Sequence, residues 1–356
     1  MEEVRNIVKV ASIYTATIIG AGFASGQEIV QFFSSYYEGG FYGIILAGIL
    51  FSIIGYTVLD RVYRERIRSY DEFLFPSVGW FLGWVMEIIV CLFMLSLFSI
   101  MIAGAAGILT EKLNMPFTLG TVIMSATCLF FILTSIKGVV TLSTVITPVL
   151  ITGIISIGLY IIIFKDASVF RFDSAVSSVT DNWIFSSLIY VSYNSILSVV
   201  VMCSLLPYLK TRKVGIAGGI IGGMLLCLIA FILNSAIIMF YPDALSKELP
   251  VLSIVGRYSS VVSNVYVIIL WMAMLVSAVT SGFCFVERVG SKAPVNRKIL
   301  AVISCLLVIP MSSLGFSSLI ATLYPIFGCA GMFMVFVILA QWVKAAFLAS
   351  AARKKK

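Results

Sequence analysis

The 356-residue chain contains no histidine, which excludes imidazole general-base catalysis, imidazole metal ligation and histidine-based pH switching. Charge is scarce as well. Asp, Glu, Lys and Arg supply 11% of residues against 61% hydrophobic, with a mean hydropathy of +1.11. Soluble domains carry about 25% charged residues, so the composition points to a polytopic membrane protein. Seven cysteines (Cys91, Cys128, Cys203, Cys227, Cys284, Cys305 and Cys329) all fall inside apolar stretches, and none is spaced Cys-x-x-Cys. Neither a disulfide framework nor a thiolate zinc site is expected, and the cysteines read as small packing residues. The formal charge of +8 does not indicate a nucleic-acid partner. Its charges sit at the ends of apolar runs, where they act as topology signals.

Apolar stretches of membrane-spanning length fall at 7–36, 41–60, 79–110, 117–136, 138–164, 183–209, 213–241, 261–287, 298–314 and 316–345. The first is longer than a signal-peptide core and has no small-residue cleavage site, so it is expected to be retained. Ten spans place 19 of the 24 Lys and Arg on one side, including Arg61, Arg64, Arg66 and Arg68, the 288–298 cluster and the basic tail Arg353 to Lys356. Lys112, Lys165, Arg171, Lys247 and Arg257 fall on the other. The positive-inside rule then predicts a plasma-membrane protein with both termini cytoplasmic. Such a chain divides into two five-helix halves, 1–164 and 165–356, of opposite orientation. The expected fold class is all-α, ten transmembrane helices in a 5+5 inverted repeat, with the first and sixth spans as mates and a binding site between them at the midplane.

The first span contains Thr17-Ile-Ile-Gly-Ala-Gly-Phe-Ala-Ser-Gly-Gln-Glu28. Gly20, Gly22 and Gly26 each cost a helix about 1 kcal/mol relative to Ala, and Glu28 puts a carboxylate at membrane depth. A broken helix frees backbone polar groups, which is tolerated only where they line a cavity or are buried in protein. The sixth span carries Ser192, Tyr193, Asn194 and Ser195, and is expected to be broken as well. The eighth carries Ser277-Ala-Val-Thr-Ser281, neutral oxygens suited to a partly dehydrated hard cation. Glu28 reads as a cation or ammonium partner, a proton carrier or a half-helix cap. Glu87 reads as a structural partner for a base in the 61–68 loop or as a second proton carrier. Asp60 beside Arg61 and Glu287 beside Arg288 read as interfacial pairs. Gly218, Gly219, Gly222 and Gly223 read as a close-packing face, as do Gly104 and Gly107.

On Gly20-Ala-Gly-Phe-Ala-Ser-Gly26, Ser277-Ala-Val-Thr-Ser281 and Lys137-Gly138 followed by Pro148, the chain resembles the amino-acid–polyamine–organocation superfamily. It looks most like the amino-acid permease group with the YkvI-type membrane proteins. The resemblance implies a sodium ion held by side-chain oxygens of Thr280 and Ser281 and carbonyls of Ser277, Gly20 and Phe23. It also implies a substrate carboxylate at Ser25 and Gly26, with Tyr190, Tyr193 and Asn194 lining the pocket. In an alternative register the turn Gly20-Ala21-Gly22 takes the carboxylate. Gln27, with Glu28 beside it, stands where the symporters offer an Asn to a second sodium, and the fifth span has no mid-helix lysine. The function implied is sodium-coupled symport of a small amino acid or related amine, with no enzyme activity. A proton-coupled permease using Glu28 or Glu87, and a ligand sensor on the same fold, remain as alternatives.

Overall fold

The structure is a computed structural model that describes residues 2–134, 136–164, 182–240, 244, 247–292 and 295–353. The sequence-level expectations placed on Lys165, Arg171 and Lys354 to Lys356 lie outside these residues, as does the side chain of Lys137. The described elements are α1 (Glu2–Ile18), α2 (Ala21–Ser25), α3 (Gln27–Phe32), α4 (Glu38–Glu65), α5 (Tyr70–Leu113), α6 (Phe117–Thr134), α7 (Ile136–Phe164), α8 (Trp183–Cys203), α9 (Arg212–Ile238), α10 (Pro250–Tyr258), α11 (Ser260–Lys292), α12 (Arg297–Ser312) and α13 (Phe316–Arg353). Among the described residues, six helices are long and apolar enough to cross a membrane: α4, α5, α8, α9, α11 and the Phe316–Val343 part of α13. Shorter apolar helices cover Phe117–Leu133 and Pro148–Ile163.

The first apolar stretch is interrupted twice. Gly20 is extended, with φ −96° and ψ −171°, and its amide reaches back only to Ile18 O at 2.9 Å. Gly26 is left-handed, with φ +84°, and its amide closes on Phe23 O at 3.1 Å before α3 starts. A side chain at Gly26 would be strained by that φ and would lie 2.8 Å from Val251 Cγ2. α5 also turns at a glycine, Gly79 with φ +80°, which separates a short helix from the span proper.

The sixth stretch corrects the expectation of a second break. α8 runs unbroken from Trp183 to Cys203. It contains no glycine or proline, and Asn194 and Ser195 of its polar cluster bond within the intact helix. Asn194 Nδ2 donates to Tyr190 O at 3.0 Å, and Ser195 Oγ to Val191 O at 2.6 Å. Ser and Asn side chains that find a carbonyl one turn back leave the helical ladder standing.

Small residues bring α9 against α4 and α1. Gly219 faces the Gly55 backbone, Gly223 faces Ser52, and a methyl at Gly218 would lie 2.6 Å from Val10 Cγ1. The packing face expected on the 218–223 glycines is therefore present. It lets Tyr14 donate to Phe51 O at 2.9 Å and Thr15 to Gly222 O at 3.2 Å. Close backbone approach through small residues is the usual way helices associate in lipid.

Charged partners differ from those expected. Asp60 pairs with Arg64 at 2.9 Å and Arg212 at 2.5 Å, and Glu287 pairs with Arg297 at 2.8 Å. Side chains adjacent in a helix point apart, so the partners come from one turn on or from a neighbouring helix. Glu87 meets Arg288 at 2.5 Å and Lys292 at 3.0 Å, because α5 packs along α11.

Candidate functional site

A cavity of about 610 Å³ reaches the break in the first stretch. Ser12 to Ile18 of α1 and Tyr193 to Val201 of α8 form one wall. Phe93 to Met101 of α5, Pro148 to Thr152 of α7 and Ala273 to Cys284 of α11 form the other, with Tyr324 of α13 at the inner end. These are the halves of α1, α8 and α11 nearest the Arg- and Lys-rich helix ends. On the far side of Glu28 the rings close up. Tyr190 packs against Phe33 at 4.8 Å, Phe32 at 5.5 Å and Phe51 at 5.9 Å between centroids. There α10 caps the break, with Val251 and Pro250 against Gly26, and Tyr266 donates to Ala24 O at 2.5 Å.

Glu28 stands at the inner end of the cavity and is 4% exposed. Tyr193 donates to its Oε2 at 2.9 Å, and the Tyr324 hydroxyl is its second hydrogen-bond partner. The carboxylate folds back over Gly22, which has no side chain to obstruct it; a methyl there would collide with Glu28 Oε1 and lie 3.0 Å from Cδ. Gly22 therefore provides space, whereas Gly26 provides backbone conformation. Glu87 lies elsewhere, 2% exposed, in an ion cluster with Arg288, Lys292 and Asp71.

Of the residues expected to hold an ion, Gly20, Ser277, Thr280 and Ser281 border the cavity. Gly20 and Ser277 face each other; a methyl on Gly20 would lie 3.7 Å from Ser277 Oγ. Phe23 is buried away from the cavity, and its carbonyl accepts from Gly26 N. Of the residues expected to hold substrate, Tyr193 and Asn194 line the cavity, while Ala21, Gly22, Ser25, Gly26 and Tyr190 do not. Ser25 Oγ donates to Gly22 O at 2.8 Å and accepts from Gln27 N at 3.2 Å. In the orientation that satisfies it, the Gln27 amide donates to Lys247 O and Glu248 O at 3.2 and 3.3 Å. That fastens the segment before α10 and leaves Gln27 outside the cavity. Tyr190 Oη and Ser192 Oγ are buried without a hydrogen-bond partner. Sequence reasoning missed Tyr324, Phe93 and Thr17. Tyr324 beside Pro325 in an otherwise apolar stretch was the available signal.

No protein-family model matches the chain. It is similar to the membrane protein YkvI of Bacillus subtilis, with 26% identity over 343 residues covering 94% of this chain and 95% of YkvI. Among solved structures it resembles the Eremococcus coleocola manganese transporter, with a TM-score of 0.61 and 14% identity over 93% of this chain and 77% of that one. A Na+-coupled sialic acid symporter, substrate-bound and outward-open, gives a TM-score of 0.58 and 14% identity over 94% and 77%. MhsT in complex with L-phenylalanine gives 0.60 and 16% over 95% and 91%. The likeness shows the fold: this chain has the leucine-transporter-type fold, and the structures that share it include a manganese transporter and a Na+-coupled symporter, not enzymes.

Proposed function

We propose that the chain is a secondary active transporter that carries a small amino acid or related amine together with sodium, by alternating access. The observation that carries this reading is the cavity itself. It is reached along one half of the broken first helix and sealed beyond Glu28 by rings and α10. A midplane site open to one side is what alternating access requires. In this reading the ten apolar stretches span the plasma membrane as two inverted five-helix halves, 1–164 and 165–356. Both termini are cytoplasmic, and the cavity faces inward. α1 to α4, α8 and α9 form the part that moves against the rest.

Sodium fits the donor set along the cavity. Ser277, Thr280 and Ser281 offer neutral oxygens opposite the Gly20 backbone, and hard cations prefer oxygen ligands. Binding there would tie the break to α11 and couple ion occupancy to which side is open. The sodium in the name of the sialic acid symporter and the phenylalanine bound to MhsT support the ion and the cargo class. Of the two candidate proton carriers, Glu28 borders the cavity, whereas Glu87 is held by two cations.

The test is thermal stabilisation of the purified protein in sodium chloride against choline chloride, across amino acids and amines. Stabilisation by one compound that deepens with sodium is expected. Stabilisation that ignores sodium and follows pH would overturn sodium coupling.

A further inference from the structure

Glu28 is the one formally charged side chain on the cavity wall, among the described residues. No arginine or lysine accompanies it to receive an anion. Its carboxylate lies in the notch that Gly22 leaves at the break, so the protein places its own anion where the backbone is interrupted. Aromatic rings cluster around its partner Tyr193. Tyr193 and Tyr324 stand 4.4 Å apart between centroids, Phe32 lies 5.4 Å and Phe93 6.2 Å from Tyr193, and Phe327 backs Phe93 at 5.1 Å.

A carboxylate among aromatic faces attracts one chemical class strongly. An ammonium gains a charge-assisted hydrogen bond from the first and a cation–π attraction from the second. A carboxylate on the cargo would meet Glu28 as a like charge in a poorly screened site. The apolar remainder of the wall, from Ile13, Leu97, Met101, Ile151 and Leu197, suits a hydrocarbon body. We infer that the cargo is an organic amine cation without a free carboxylate, with its ammonium on Glu28 and against the rings of Tyr193, Tyr324 and Phe93. The inference rests on the transporter reading and narrows its substrate class.

The test uses matched trios on the full-length purified protein in sodium chloride. One trio is phenethylamine, L-phenylalanine and 3-phenylpropionate. The other is isoamylamine, L-leucine and 4-methylpentanoate. Apparent affinities come from the concentration dependence of melting. The amine of each trio is expected to bind at least tenfold more tightly than its amino acid, with no response to the acid. Glu28→Gln should weaken the amine tenfold or more, and Glu28→Asp should retain part of it. Tighter binding of either amino acid, no response to either amine, or an undiminished amine response in Glu28→Gln overturns the inference. If Glu28→Gln does not fold, the wild-type trios still decide it. Accumulation in vesicles separates the two claims. Amines bound but not accumulated would defeat the transport reading and leave the ligand class standing. Amino acids accumulated without amine binding would do the reverse.

Discussion

Tyr193 donates its hydroxyl to Glu28 Oε2 at 2.9 Å, tying the unbroken α8 to the broken first helix across 165 residues of sequence. Both residues border the cavity, so a change in cavity occupancy acts directly on this link between the two helices. Tyr193→Phe keeps the ring and removes the bond. Hydrogen bonds to a charged group contribute about 1.5–3 kcal/mol, so cargo binding should weaken roughly tenfold or more. A binding isotherm unchanged from wild type would show that Tyr193 only packs.

Gly20 and Gly26 should respond differently to the same substitution. Gly26→Ala puts a side chain at φ +84° and 2.8 Å from Val251 Cγ2, whereas Gly20→Ala sits at φ −96° with its nearest neighbour at 3.7 Å. The left-handed conformation alone costs an L-residue about 1–2 kcal/mol. Thermal unfolding should therefore show a clear loss for Gly26→Ala and a small change for Gly20→Ala. The opposite order would place the essential break at Gly20.

Thr280 and Ser281 are the proposed side-chain ligands of sodium. Thr280→Val and Ser281→Ala should each raise the sodium concentration for half-maximal stabilisation about tenfold, since losing one ligand of ~1.4 kcal/mol is a factor of ten. An unchanged sodium titration in both variants would remove the ion from α11.

Glu87 has a structural role in this account. Arg288→Met should destabilise the protein by about 3 kcal/mol, the low end for breaking a buried pair, because Lys292 Nζ remains at 3.0 Å. Adding Glu87→Gln should recover much of that loss. Uptake by Glu87→Gln alone should keep the wild-type pH profile; a flattened profile would make Glu87 the proton carrier, with Arg288, Lys292 and Asp71 as the charges around it.

The break in the first helix is legible in the sequence because three glycines within seven residues have few other uses in a membrane span. Their separate tasks are not. That Gly22 makes room for Glu28 depends on a side chain folding back six positions, which spacing alone does not reveal. The polar cluster of the sixth stretch suggests a break that α8 does not have. Ser195 and Asn194 bond one turn back, and residue type does not separate that outcome from a true interruption. Tyr324 escapes a reading of the sequence because a tyrosine in an apolar helix is commonly packing. Only the folded chain brings its hydroxyl to an acid nearly three hundred residues earlier. Adjacent residues are the wrong place to look for the partners of Asp60 and Glu287, and the 61–68 loop for that of Glu87. Helix geometry supplies them from one turn on or from a neighbouring helix.

The most direct measurement is uptake into vesicles carrying the purified protein, with an inward sodium gradient and radiolabelled phenethylamine or L-phenylalanine as cargo. Accumulation above the outside concentration, which collapses when sodium is equilibrated or replaced by choline, is the predicted result. Saturable binding with no accumulation under any cation gradient would contradict transport and leave a ligand sensor on a transporter fold.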